Sequence, residues 1–131
     1  MHKTVLVCGD RNWTDKEAIK LCLTALRNQG YDTIIEGECR GADFLARIVA
    51  EELGYTVLNR DSTTKGFPAQ WNKFGRAAGP IRNQEMLDVG KPTLVVYFHP
   101  NLSQSRGTKD MVTRASVTTV NGSDLKSIIG L

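Results

Sequence analysis

Four stretches of the chain set glycine or another small residue beside an arginine, and each leads toward a helix. They are Gly9-Asp10-Arg11-Asn12-Trp13, Gly37-Glu38-Cys39-Arg40-Gly41-Ala42-Asp43, Ala77-Ala78-Gly79-Pro80-Ile81-Arg82-Asn83 and Ser103-Gln104-Ser105-Arg106-Gly107-Thr108-Lys109-Asp110. The chemistry such stretches support is anion binding. Glycine lets backbone N–H groups come close to an anion, and a helix N-terminus adds partial positive charge. Arginine contributes a planar fork that matches two phosphate oxygens at once. A single loop of this kind is ordinarily a solvated turn. Four on one sheet edge outweigh that reading and give a candidate ligand set: Gly9, Asp10, Arg11, Gly37, Arg40, Gly41, Asp43, Gly79, Arg82, Asn83, Arg106, Gly107 and Thr108.

Other roles compete for several of these residues. Gly37, Gly41 and Gly107 would serve turn geometry or close helix–sheet packing equally well. Thr108 either caps its helix or binds phosphate. Asp43 is expected to cap the second helix or to pair with Arg40 or Arg47. Trp13 and Trp71 suit core or lid anchors better than base stacking, and a lone His99 suits a structural role. Cys8 and Cys22 belong to the core, while Cys39 sits in a candidate binding loop with no base partner visible. Asp10, Glu36, Glu38, Glu85 and Asp110 could act as acids beside an anion. Balancing the local arginines is the simpler role for all five.

The elements that must position these loops alternate between strand and helix. Strands are expected at Thr4 to Cys8, Thr33 to Gly37, Tyr55 to Leu58, Thr93 to Phe98 (a central strand) and Val117 to Val120. Helices are expected at Asp15 to Asn28, Ala42 to Leu53, Ile81 to Val89 and Gly107 to Ala115, with a short turn or two at Ser123 to Ile129. Periodicity fails from Asn59 to Pro80, which predicts a long loop with aromatic anchors and a binding or lid role. The pattern predicts a single Rossmann-like α/β domain over residues 1–131, with a mostly parallel sheet of about five strands and helices on both faces. Ligands of such sheets bind beyond the carboxyl ends of the strands.

Composition narrows the partners. The chain has 131 residues, 40% of them hydrophobic and 24% charged, which suits one globular domain. No apolar run reaches the roughly 18 residues of a membrane helix, and the first residues lack a signal-peptide pattern. Three widely spaced cysteines give neither a disulfide framework nor a metal motif, so reduced thiols and a cytoplasmic location are expected. A net charge of +3 is too mild to indicate nucleic-acid binding. No cofactor or metal is demanded, although a divalent cation could bridge the phosphates of a ligand. A homodimer is compatible with a domain of this size.

Taken together, Val7 to Arg11, Glu36 to Asp43, Trp71, Ala78 to Met86 and Ser105 to Val112 resemble the YspA-type branch of the SLOG superfamily. Its Rossmann-like relatives include the Lonely Guy enzymes and Smf/DprA, and bacterial and phage members are common in this branch. The resemblance spans about residues 5 to 120 and implies binding of nucleotides or their derivatives. Lonely Guy enzymes carry a Pro-Gly-Gly-x-Gly-Thr-x-Glu motif that binds phosphate and supplies a catalytic glutamate, assisted by an upstream arginine. By that likeness Gly107 and Thr108 would hold phosphate, Asp110 would stand at the glutamate position and Arg82 at the arginine. This chain departs from the motif: Gln104-Ser105-Arg106 replaces the double glycine, and aspartate replaces glutamate. Those departures weaken the case for cleaving an N-glycosidic bond and leave phosphate binding standing.

The expectation is therefore a module that senses or sequesters a phosphorylated nucleotide-type small molecule. Two alternatives remain: a nucleoside 5′-monophosphate phosphoribohydrolase using Arg82 and Asp110, and a single-stranded DNA binder stacking bases on Trp13, Trp71 and Phe74.

Overall fold

The computed structural model describes residues 2–131. Five strands form one all-parallel sheet: β1 (Thr4–Gly9), β2 (Thr33–Ile35), β3 (Thr56–Val57), β4 (Leu94–Phe98) and β5 (Thr118–Asn121), in the order β3-β2-β1-β4-β5. Alternation along β1 divides the core in two. Val5 and Val7 point to one face, where they meet α1 (Lys16–Asn28), α2 (Ala42–Glu52) and the short α6 (Leu125–Ile129). Leu6 and Cys8 point to the other, with Ile35, Phe67, Met86 of α4 (Ala78–Gly90) and Met111 of α5 (Gly107–Arg114). Sheets covered by helices on both faces need strands that are apolar on both sides, and β1 and β4 are buried accordingly.

Chain direction across the sheet fixes where a site can form. From β1 the chain steps outward through α1 to β2 and through α2 to β3. It then returns across the sheet to β4 and steps the opposite way through α5 to β5. Right-handed crossovers running in opposite directions put their helices on opposite faces. The two series part between β1 and β4, and a crevice opens beyond their carboxyl ends. The middle strand is therefore β1, with β4 beside it, rather than the expected Thr93 to Phe98.

The stretch expected to be loop from Asn59 to Pro80 is more ordered than its sequence suggests. It holds a four-residue helix, α3 (Trp71–Phe74), and a 3₁₀ turn, Gly75–Ala77, before α4 begins at Ala78. Gly79 and Pro80 thus lie in the first turn of α4, where proline's missing N–H costs nothing. A helix of four residues is too short to show periodicity. The preceding strap is pinned down: Phe67 is buried, and Arg60 grips both carboxylate oxygens of Glu85 at 2.7–3.2 Å and the Pro68 carbonyl at 2.7 Å.

Candidate functional site

The crevice between β1 and β4 holds a cavity of about 420 Å³. Its walls include Gly9, Asp10, Arg11, Arg40, Asp43, Arg82, Asn83, Arg106, Gly107 and Thr108, ten of the residues singled out from sequence. Gly9 brings the end of β1 against β4, so that the Asp10 amide donates to the Phe98 carbonyl at 2.8 Å; a Cβ there would strike that carbonyl and Ala42. Asn12, Cys39, His99 and Ser105 also line the cavity and were absent from the candidate set, although each lies in or beside a loop already implicated. Cys8 and Met86 form an apolar floor that no polar motif announces.

The loop after β2 is turned inward. Asp43 is buried and accepts from the amides of Gly37 (3.2 Å) and Cys39 (3.3 Å), while Glu36 accepts from the Glu38 amide at 2.8 Å. Three successive N–H groups expected to be free for an anion are thereby consumed by the chain's own carboxylates. Asp43 does not pair with Arg40 or Arg47; its charged neighbour is Arg82. Burial pushes the Asp43 carboxyl up to about 6 despite Arg82 and the two amides. It pushes Glu36 up to about 8, with Asp43 adding to the effect. Glu36 Oε2 and Arg47 Nε, 4.0 Å apart, are both buried without a hydrogen-bond partner among the described residues. Burial thus favours the protonated form of Glu36. Gly37 itself lies behind the cavity, under Arg82. Gly41, at φ +75°, packs on the Asp10 and Arg11 backbone, and the Ala42 amide donates to the Asp10 carbonyl at 3.1 Å. That carbonyl occupies the start of α2.

Arg82 is the keystone of this floor rather than a free fork. Its Nη1 donates to the carbonyls of Gly37 (2.6 Å) and Phe67 (3.3 Å), its Nε to Asn83 Oδ1 (3.1 Å), and its Nη2 to the Cys39 sulfur (3.8 Å). Only Nη2 retains donor capacity toward the cavity. Asn83 continues the network, donating to the Gly107 carbonyl (3.3 Å) and to Asp110 Oδ2 (2.9 Å). Arg114 also donates to that oxygen at 2.8 Å. Asp110 thus clamps α5 to α4 and is not among the cavity's wall residues. Gly79 stands apart as well, with the Trp71 ring beside it.

The start of α5 is built differently. Ser105 Oγ accepts from the Thr108 amide at 3.0 Å, but the amides of Gly107 and Lys109 have no acceptor among the described residues. A Cβ on Gly107 would meet nothing within 4 Å. Arg106 is exposed beside it, and Arg11 and Arg40 are exposed on the opposite wall. Arg40 makes one long bond, 3.4 Å, to Asn12, and the guanidinium groups of Arg11 and Arg106 make none among the described residues. Trp13 is a core anchor, stacked at a tilt on Phe98 at 5.6 Å.

A doubly wound parallel sheet with an arginine-rimmed cavity at its switch point defines a Rossmann-like domain. The chain belongs to the YspA, cpYpsA-related SLOG family, whose profile matches residues 3–74. That span holds the first two loops and the strap; Arg82 and α5 lie beyond it. Among solved structures the fold resembles Moco Carrier Protein from Chlamydomonas reinhardtii, with a TM-score of 0.55 and 13% identity over 93% of this chain and 77% of that one. It also resembles DNA processing protein A (DprA) from Streptococcus pneumoniae, with a TM-score of 0.54 and 15% identity over 96% of this chain and 61% of that one. No curated protein sequence matches the chain. Among the described residues no helix is long and apolar enough to cross a membrane, and no group of three His, Cys, Asp or Glu side chains is placed to hold a metal ion.

Proposed function

We propose that this protein binds a phosphorylated nucleotide or nucleotide derivative in the β1/β4 crevice, for sensing or sequestration rather than cleavage. One observation carries the reading: α5 opens on a Gly107 amide with no acceptor among the described residues, in the wall of a cavity rimmed by Arg11, Arg40 and Arg106. Amides at a helix N-terminus favour a doubly charged oxyanion, and the guanidinium groups add charge-assisted hydrogen bonds. The cavity volume lies within the range of small-molecule sites. A divalent cation accompanying the phosphates would come with the ligand.

The engagement of Asp110 with Asn83 and Arg114 supports binding over hydrolysis. An acid that assists departure of a base must reach it, and Asp110 is held between two helices instead. The mild net charge weighs against single-stranded DNA.

The test is a thermal-shift screen with nucleoside monophosphates, ADP-ribose, NAD, cyclic dinucleotides and Moco, with every hit assayed for released base. A ligand at a hundred times its dissociation constant adds about 2.7 kcal/mol of stability, enough to register clearly. A stabilising ligand without free base is the expected result. Release of base would replace this reading with the hydrolase, and no shift from any phosphorylated compound would remove it.

A further inference from the structure

Beyond the crevice a second hollow, of about 790 Å³, is lined by Arg11, Gly37, Glu38, Cys39, Arg40, Pro68, Ala69 and Trp71. Arg11, Cys39 and Arg40 line both spaces, so the two adjoin at the Arg11–Arg40 rim. Trp71 is 49% exposed, unusually open for the largest side chain in the protein. It has neither an aromatic nor a cation–π partner among the described residues, whereas Trp13 is stacked on Phe98. The indole sits beside Gly79 of α4, where an added Cβ would lie in ordinary contact with the ring at 3.5 Å. The one carboxylate on this wall, Glu38, is turned away: its Oε2 accepts from the amides of Lys65 (3.2 Å) and Gly66 (3.1 Å). Glu38 holds a left-handed backbone, φ 57°, to do so. A non-glycine residue kept in that region is found where surrounding structure enforces it, often at ligand sites.

We propose that Trp71 and the Arg11–Arg40 pair form a second subsite, which stacks the planar heterocycle of a nucleotide whose phosphate lies at the start of α5. This inference rests on the nucleotide-binding reading above and adds to it the place of the base, stacked on Trp71 outside the crevice that takes the phosphate. An indole face accepts any planar base, and guanidinium groups at the rim can stack on the ring or pair with a phosphate crossing it. The hollow's walls supply little hydrogen-bond reading of the base edge, because the amides of Gly37 and Cys39 are spent on Asp43 and that of Glu38 on Glu36. The subsite therefore favours aromatic rings over sugars without strong choice among bases.

The experiment is calorimetric titration of wild type, Trp71→Ala and Trp71→Phe with ADP-ribose and with ribose 5-phosphate, alongside quenching of tryptophan fluorescence. Wild type should bind ADP-ribose more tightly than ribose 5-phosphate. Trp71→Ala should lose about tenfold in affinity for ADP-ribose and nothing for ribose 5-phosphate. Trp71→Phe should keep most of the affinity while losing the quenching. Equal ADP-ribose binding by wild type and Trp71→Ala would overturn the subsite and leave the phosphate site standing, as would binding of ribose 5-phosphate alone. Failure of wild type to bind either compound would overturn the phosphate-binding reading and the subsite with it.

Discussion

The loop after β2 and the segment that opens α5 share a signature, glycine next to arginine ahead of a helix, and use it in opposite ways. In the first, the amides of Gly37, Glu38 and Cys39 fold back onto Glu36 and Asp43, and Arg82 seals the carbonyl side. In the second, the amides of Gly107 and Lys109 remain open and Arg106 is unengaged among the described residues. The difference lies in the neighbouring carboxylates. Buried acids close to the β2 loop satisfy its amides internally, whereas the acid nearest α5, Asp110, is drawn away by Asn83 and Arg114. One segment is a floor and the other opens on the cavity.

Glycine substitutions should separate the two most sharply. Gly41 needs its φ of +75°, and a Cβ there would press on the Asp10 and Arg11 backbone, which cannot move aside as a side chain can. Gly41→Ala should cost about 3 kcal/mol or more in urea denaturation. Gly107→Ala, opening into empty space, should stay within about 0.5 kcal/mol. A reversed order would break the comparison.

Arginine substitutions come next. Arg82→Ala strips the donor from two buried carbonyls and should cost about 2–4 kcal/mol, so weakened binding in that variant follows from a damaged floor. Arg106→Ala should leave stability within about 0.5 kcal/mol while lowering nucleotide affinity roughly tenfold or more. Equal stability losses would show that the two arginines do the same work.

The inward-turned carboxylates predict an inverted pH dependence. Because burial raises Asp43 to about 6 and Glu36 to about 8, the native state keeps protons that the unfolded chain gives up from about pH 4. Stability should therefore fall as pH rises through that window, by several kcal/mol at about 1.4 kcal/mol per pKa unit, and be lowest above pH 8. Glu36→Gln should flatten the upper part of the curve, measured by thermal unfolding from pH 5 to 9. A rise in stability over that range would mean that these acids are ionised and well paired.

The smallest effect belongs to Asp110. Asp110→Asn keeps an acceptor between the helices, so it should cost about 1 kcal/mol and leave ligand affinity unchanged. A loss of affinity without a loss of stability would bring Asp110 into the site.

The order of strands and helices was legible because β1, β4, α1 and α2 carry clear apolar periods. The start of α4 was not, since Gly79 and Pro80 read as breakers although they are harmless in a first turn. Most of the cavity wall could be found because its residues cluster in four loops. What sequence could not tell is which donors stay free. That depends on contacts across the chain, such as Arg82 to Gly37 and Phe67 or Asp43 to Cys39, and a local signature carries no trace of them. Arg60, which locks the strap to Glu85, was missed for the same reason.

The most direct test of the central claim is an amide ¹H–¹⁵N titration of the wild-type protein with AMP. Saturable shifts largest at Gly107, Thr108 and Lys109, with Gly37 to Cys39 nearly still, are the predicted result. Shifts centred on Gly37 to Cys39, or none that saturate, would contradict the assignment of the open end to α5.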